Sequence, residues 1–209
     1  ITIDEVVHDD HMRRFASEFQ IWIRKGYPCY LIMTGLYDTV YGIQNDPALT
    51  FLLRSPKLKI QPLSITSIKR QYMKVFDIKE KEALVLANIT KGYAFAFQAL
   101  GEIYYTYRDK ESLDDMIDRL DDMLEDFVYR KIWEGLSEQD KRVVIAVPEN
   151  GTKTGDVMKK LSMTSSVFSK YRDRLIKKGI LISPQYGYLE IALPRFHKIV
   201  MDIADERIF

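Results

Sequence analysis

Hydrophobic positions recur at helical spacing through most of the chain and become continuous only in short runs. Met12, Phe15, Phe19, Trp22 and Ile23 share one face of a segment from about Asp9 to Lys25. That spacing predicts a helix, which Gly26 and Pro28 end. Cys29-Tyr30-Leu31-Ile32-Met33-Thr34-Gly35 then reads as a strand buried on both faces of a parallel sheet. Ile1-Thr2-Ile3 is too short to be a whole strand, and Lys57-Leu58-Lys59-Ile60, between Pro56 and Pro62, is a further strand candidate. Strand and helix in alternation predict an α/β region over 1–61. From 62 to 135 the pattern turns helical. Four helices are expected: one capped by Ser64 or Thr66 and running to Val75, then about 79–90, 93–107 and 112–135.

The last region, 136–209, changes again. Ser137-Glu138-Gln139-Asp140 has the form of a capping segment and opens a helix through Val143, Val144 and Val147. Pro148-Glu149-Asn150-Gly151 is a turn. Thr154 can cap a short helix to Leu161, and Ser165 or Ser166 a third through Phe168, Tyr171, Leu175 and Ile176, closed by Gly179. Ile180–Ile182 and Tyr188–Leu193 flank the loop Ser183-Pro184-Gln185-Tyr186-Gly187 and so predict a hairpin. A final helix starts at Pro194. Helix, helix, turn, helix and hairpin is the layout of a winged helix-turn-helix, whose third helix can present Ser165, Ser166, Ser169, Lys170, Arg172 and Arg174 to a DNA groove while Tyr186 tips the wing. A protein-packing role for the same module is the competing reading.

Charge sharpens this picture. The 209 residues carry 31 Lys+Arg and 30 Asp+Glu, a formal +1. A uniformly basic nucleic-acid binder is excluded, yet the balance is a sum of opposites. Residues 102–136 hold an acid excess clustered at Asp114-Asp115, Asp118, Asp121-Asp122 and Glu125-Asp126, and 151–178 hold a basic excess of the kind that phosphate binding needs. One cysteine, Cys29, excludes an internal disulfide and a multi-cysteine metal site. No apolar run is long enough for a membrane span, and no signal-peptide pattern opens the chain, so a cytoplasmic protein is expected. His8 and His11, beside Asp9 and Asp10, match no zinc spacing and read as a solvated helix start. The aromatic stretches Tyr104-Tyr105, Tyr107 and Phe127, Tyr129, Trp133 read as packing between helices.

Ile1-Thr2-Ile3-Asp4-Glu5 has the order of a Walker B strand end, where an Asp holds Mg²⁺ through water and the neighbouring Glu polarises the attacking water. Some thirty residues later, Leu31-Ile32-Met33-Thr34-Gly35 resembles the sensor-1 strand of AAA+ ATPases. Phe51-Leu52-Leu53-Arg54-Ser55-Pro56, followed by Ile60-Gln61-Pro62-Leu63, resembles the last part of the core in archaeal-type and STAND-like ATPases. Leu86–Gln98, around Thr90-Lys91-Gly92, looks like their lid helices, and a C-terminal winged helix is typical of this group and of the origin-recognition ATPases it resembles. The resemblance spans nearly the whole chain. It implies ATP and Mg²⁺ as cofactors, Asp4 as the metal-side residue, Glu5 and Arg54 as catalytic residues (Arg54 as an arginine finger), and Thr34 and Lys91 as nucleotide contacts.

The chain also departs from that family. Ala94 stands where the lid motif usually has Pro, and no Arg occupies the lid sensor position, which leaves Lys91 as its substitute. There is no G-x-x-x-x-G-K-[ST]: Gly151-Thr152-Lys153-Thr154 lacks the earlier glycine and reads as a turn before a helix. The expectation is therefore a mixed α/β, mainly α chain in three parts: 1–61 the end of a P-loop core, 62–135 a helical lid, 136–209 a winged helix. It would be the C-terminal part of a bacterial or archaeal protein whose P-loop segment lies upstream of Ile1, with no nucleotide bound to this part alone. Double-stranded DNA and a second copy are the expected partners. Two other readings stand beside it: a DNA-binding transcriptional regulator with a non-catalytic N-terminal region, and an interaction or autoinhibitory module.

Overall fold

A computed structural model describes residues 1–206 of the chain. The chain divides into two compact units, Ile1–Ile60 and Gln61–Phe209.

The first unit is built on a short parallel pair. β1 (Thr2–Ile3) lies beside β2 (Ile32–Met33), with Thr2 opposite Ile32 and Ile3 opposite Met33. Helix α1 (Asp10–Arg24) connects them, capped by Asp9 whose carboxylate accepts from the Met12 N–H at 2.8 Å. α2 (Tyr37–Gln44) and a 3₁₀ helix (Pro47–Arg54) follow. The interior is small: Val6, Met12, Ala16, Ile43, Leu49 and Leu52, with Ile3 and Met33 packed against it. Because side chains alternate along a strand, Thr2 and Ile32 point to the other face, and Ile32 is 59% exposed. The apolar run 29–35 is thus a two-residue strand covered on one face, not a strand buried on both. Lys57–Ile60 forms no strand; with no neighbour to pair with, it is extended and open, and Leu58 is 92% exposed. Ile23, expected on the buried face of α1, is exposed in the last turn of that helix.

The second unit begins with α3 (Ile65–Phe76), α4 (Glu80–Ile89) and α5 (Ala94–Tyr107). α6 (Leu113–Leu124) starts at a capping box of Ser112 and Asp115. The expected helix 112–135 does not run through unbroken: a π-helical turn at Glu125–Tyr129 separates α6 from α7 (Arg130–Glu134). A second capping box, Ser137 with Asp140, opens α8 (Glu138–Ala146). β3 (Thr152–Lys153), which the apolar pattern does not predict, precedes α9 (Thr154–Leu161) and α10 (Ser165–Lys177). Thr154, Ser165 and Ser166 lie inside these helices rather than capping them; the cap positions are Lys153 and Thr164. β4 (Leu181–Ile182) and β5 (Tyr188–Ile191) form the hairpin, β5 pairs antiparallel with β3 as well, and α11 (Phe196–Glu206) ends the described chain.

One continuous interior runs through this unit, from Ile68, Tyr72 and Phe76 through Leu100, Leu120 and Tyr129 to Phe168, Leu189 and Ile203. The segments 62–135 and 136–209 therefore share a core. The entry to the unit is pinned at Gly92, whose carbonyl accepts from the Leu63 N–H at 2.8 Å. Gly92 has φ +79, and a Cβ there would stand 2.4 Å from the Leu63 carbonyl oxygen. Glycine alone fits both the conformation and the approach. Gly92→Ala should therefore cost about 1–3 kcal/mol, read as a lowered urea midpoint with an unchanged slope.

Candidate functional site

The polar residues at the end of β1 sit where the ladder becomes irregular. The Thr34 N–H donates to the Ile3 carbonyl at 2.9 Å, but the Thr34 carbonyl accepts from Val6 at 2.9 Å. A regular parallel ladder would take that bond from residue 5. One extra residue is therefore accommodated, a bulge, and Glu5 carries it with a left-handed φ of +50. Such a conformation in a residue with a Cβ costs about 1–2 kcal/mol. The freed Glu5 N–H turns to Asp4 Oδ1 at 3.1 Å, and the Thr34 hydroxyl donates to the same oxygen. Asp4, Glu5 and Thr34 are all exposed at the carboxyl ends of the two parallel strands, the place where open α/β sheets hold ligands.

Among the described residues no three His, Cys, Asp or Glu side chains gather into a metal cage. Mg²⁺ does not need one. It rests on one or two carboxylates, with phosphate oxygens and waters completing its octahedron. An exposed carboxylate with one oxygen anchored, as in Asp4, fits that donor set.

Behind this edge lies a group that sequence spacing missed. Asp46 is buried. Its Oδ1 accepts from the Ala48 N–H at 2.9 Å, so it caps the 3₁₀ helix; its Oδ2 accepts from Arg13 Nε at 2.5 Å and meets His8 Nε2 at 2.9 Å. His8, which reads as a solvated residue, thus ties the loop after β1 to the 3₁₀ helix. The bonds from His8, from Arg13 and from the Ala48 N–H hold the Asp46 carboxyl well below the usual carboxylate range. Arg54 is exposed at the C-terminal end of the 3₁₀ helix.

Lys91 belongs to the second unit. Its ammonium donates to Glu149 Oε1 at 2.7 Å and to the Ile191 carbonyl at 3.2 Å, and Glu149 Oε2 accepts from the His197 N–H at 3.3 Å. The turn between α4 and α5 is thereby tied to β5 and the start of α11. Lys91 therefore spends its charge inside this unit, and the geometry does not support it as the lid contact to a nucleotide.

The expected DNA-facing residues separate into two groups. Ser165, Ser166 and Lys170 are exposed on α10, Ser169 is half-buried, and Tyr186 is fully exposed at the hairpin tip. The arginines are engaged. Arg174 forks onto Asp140, Nε to Oδ1 at 3.0 Å and Nη2 to Oδ2 at 2.6 Å, and reaches Ser137 Oγ at 3.1 Å. Asp140 is only 2% exposed, so Arg174 locks α10 to the capping box of α8. Arg172 is half-buried and forks onto Asp173 at 2.8 and 3.1 Å. The acid cluster of α6 is not all at the surface: Asp121 is buried, holds Arg195 at 2.7 and 2.6 Å and Lys198 at 2.9 Å, and those bonds raise the basicity of both partners.

Residues 126–200 match a family described as a domain of unknown function, DUF8462. No curated protein matches the chain. Among solved structures, the Walker-type ATPase PAby2304 of Pyrococcus abyssi is similar at a TM-score of 0.65 and 14% identity, over 96% of this chain and 62% of that one. Cdc6p from Pyrobaculum aerophilum is matched at a TM-score of 0.44 and 15% identity, over 100% of this chain and 66% of that one. The chain thus spans less than two thirds of the length of either structure. Its fold is similar to that of the Pyrococcus ATPase over nearly all of its length: mixed α/β, mainly α. No helix among the described residues is long and apolar enough to cross a membrane.

Asp46 generates a prediction about acid stability. Its carboxyl is depressed in the fold relative to about 3.9 in an unfolded chain, so its stabilisation is complete above about pH 4 and is lost as pH falls towards the folded-state value. Asp46→Asn should be the less stable protein at pH 7. The gap to the wild type should close below about pH 4, followed by hydrogen exchange of the α1 amides.

Proposed function

We propose that this chain is the C-terminal part of an ATP-binding AAA+/STAND-like ATPase, with Asp4, Glu5 and Thr34 forming one side of the nucleotide site and the winged helix acting on DNA or a protein partner under nucleotide control. The observation that carries the reading is the pairing of Asp4 with Thr34 across the ends of two parallel strands, with Glu5 set out of the ladder by a bulge. When bound with ATP, Mg²⁺ supplies charge neutralisation at the phosphates. Asp4 would hold it, oriented by the Thr34 hydroxyl and the Glu5 N–H. On turning from Asp4, the Thr34 hydroxyl would donate its one proton to a terminal phosphate oxygen instead. The exposed Glu5 carboxylate would orient a water and accept its proton at a side-chain oxygen. Arg54 would serve a neighbouring copy as a source of fixed positive charge. Lys91 is not part of this proposal.

The shared interior of the second unit gives nucleotide control a mechanical form. The helices of 62–135 and the module at 136–209 are packed as one body, so a rotation of the lid would carry α10 and the hairpin with it. The bulge at Glu5 fits the same reading, because strained backbone persists where surrounding structure over-determines it, often at functional sites.

ATP hydrolysis by the full-length protein tests the assignment. Asp4→Asn and Glu5→Gln should each lower kcat by about 100-fold or more, while Glu5→Gln retains ATP binding. Hydrolysis at the wild-type rate in both variants would overturn it.

A further inference from the structure

The proposed DNA-facing surface has an uneven supply of cations, and the unevenness determines what it can recognise. Direct reading of a base pair relies chiefly on a planar, two-pronged donor, most often an Arg meeting the O6 and N7 of guanine. Both arginines of α10 have their forks occupied within the chain, Arg174 by buried Asp140 and Arg172 by its neighbour Asp173. Withdrawing Arg174 from Asp140 would strand a buried carboxylate, a penalty of the kind that a single base contact does not repay.

What is left without a carboxylate across from it is lysine, whereas Arg174, though solvent-accessible, is paired. A step of 100° per residue places Ser166, Ser169, Lys170, Asp173 and Lys177 on one stripe of α10, and all but half-buried Ser169 are exposed. Lys153 on β3 and Lys159 and Lys160 in the last turn of α9 are exposed as well. Lysine is a compact, strongly hydrated point charge that suits phosphate and carries no fork. The stripe also holds an acid, Asp173, which opposes phosphate. The other expected contacts, Ser166 and Ser169, are hydroxyls that bond to several bases alike.

We infer that the winged module, on the reading proposed above that it binds DNA, takes double-stranded DNA through its phosphate backbone without regard to sequence. Lys170, Lys177, Lys153, Lys159 and Lys160 provide the contacts, and Arg172 and Arg174 are structural. Affinity then comes from released counterions. Log affinity falls with log salt at a slope of about −0.9 per phosphate engaged, so five lysines set a slope no steeper than about −4 to −5.

The experiment is fluorescence anisotropy of the full-length protein with two duplexes of equal length and unrelated sequence, across a salt series. The expected result is equal affinity for both at every salt. Lys170→Ala and Lys177→Ala should each weaken both duplexes to the same degree and flatten the slope by about one contact. Asp173→Asn, which removes a carboxylate and frees Arg172, should tighten both, an effect that loss of folding cannot imitate. Arg174→Lys should leave affinity unchanged while lowering the unfolding midpoint. A tenfold or greater preference for one duplex, or a preference that Arg172→Lys or Arg174→Lys abolishes, would overturn the inference and leave the DNA-binding reading standing. Absence of binding to either duplex at low salt would overturn the DNA-binding reading itself.

Discussion

The seam between α6 and the start of α11 holds the larger unit together, and it does so with opposite charges and an aromatic wedge. Asp121 faces inward from an otherwise acidic helix and takes Arg195 through two bonds and Lys198 through a third. Eight residues on, the π-helical turn brings Tyr129 fully inside, where its hydroxyl donates to the Pro194 carbonyl at 2.7 Å and its ring meets Phe196 edge-on at 4.8 Å. A charge pair of this kind gains little by itself once desolvation is counted, but breaking it leaves a charge unpaired at a packed interface. The seam therefore acts chiefly to fix one arrangement of the helices of 62–135 against those of 136–209. Arg195, with a φ of +63, pays a local strain to stand there.

The small unit solves a different problem. Two strands of two residues cannot specify a register unaided, and its interior is only a handful of side chains. Asp46 compensates by joining three segments through polar bonds: the loop after β1 by His8, α1 by Arg13 and the 3₁₀ helix by its own cap. That loop begins immediately after Asp4 and Glu5, so the rigidity of the candidate site depends on a carboxylate that takes no part in it.

On α9, α10 and the start of α11, arginines are paired with carboxylates while several lysines stand exposed. Arg13, Arg119, Arg174 and Arg195 all fork onto or pair with carboxylates, while exposed lysines line α9 and α10. The two residues differ in hydration and in donor geometry, yet lysines also pair with carboxylates elsewhere in the chain, Lys69 with Glu80, Lys141 with Glu138 and Lys198 with Asp121. A net charge near zero conceals this division.

What the sequence determined by itself was local. The helical period placed α1 and α3 through α5, the segment Ser137–Asp140 marked a helix start, and the loop 183–187 announced the hairpin. Each of these signals lies within a few residues, where the backbone's own geometry reads it. The order Asp-Glu after an apolar run was legible in the same way, whereas the bond between Asp4 and Thr34 thirty residues on is a contact of the fold. The tertiary structure alone decided which charges are free. Arg174 finds Asp140 across 34 positions, Arg195 finds Asp121 across 74 and Lys91 finds Glu149 across 58. Such pairs leave no periodicity, because any arginine can meet any carboxylate once packing has brought their helices together. The same holds for strands: 29–35 and 57–60 have the composition of strands, but a strand exists only where a neighbour offers its hydrogen bonds, and that neighbour is a property of the fold.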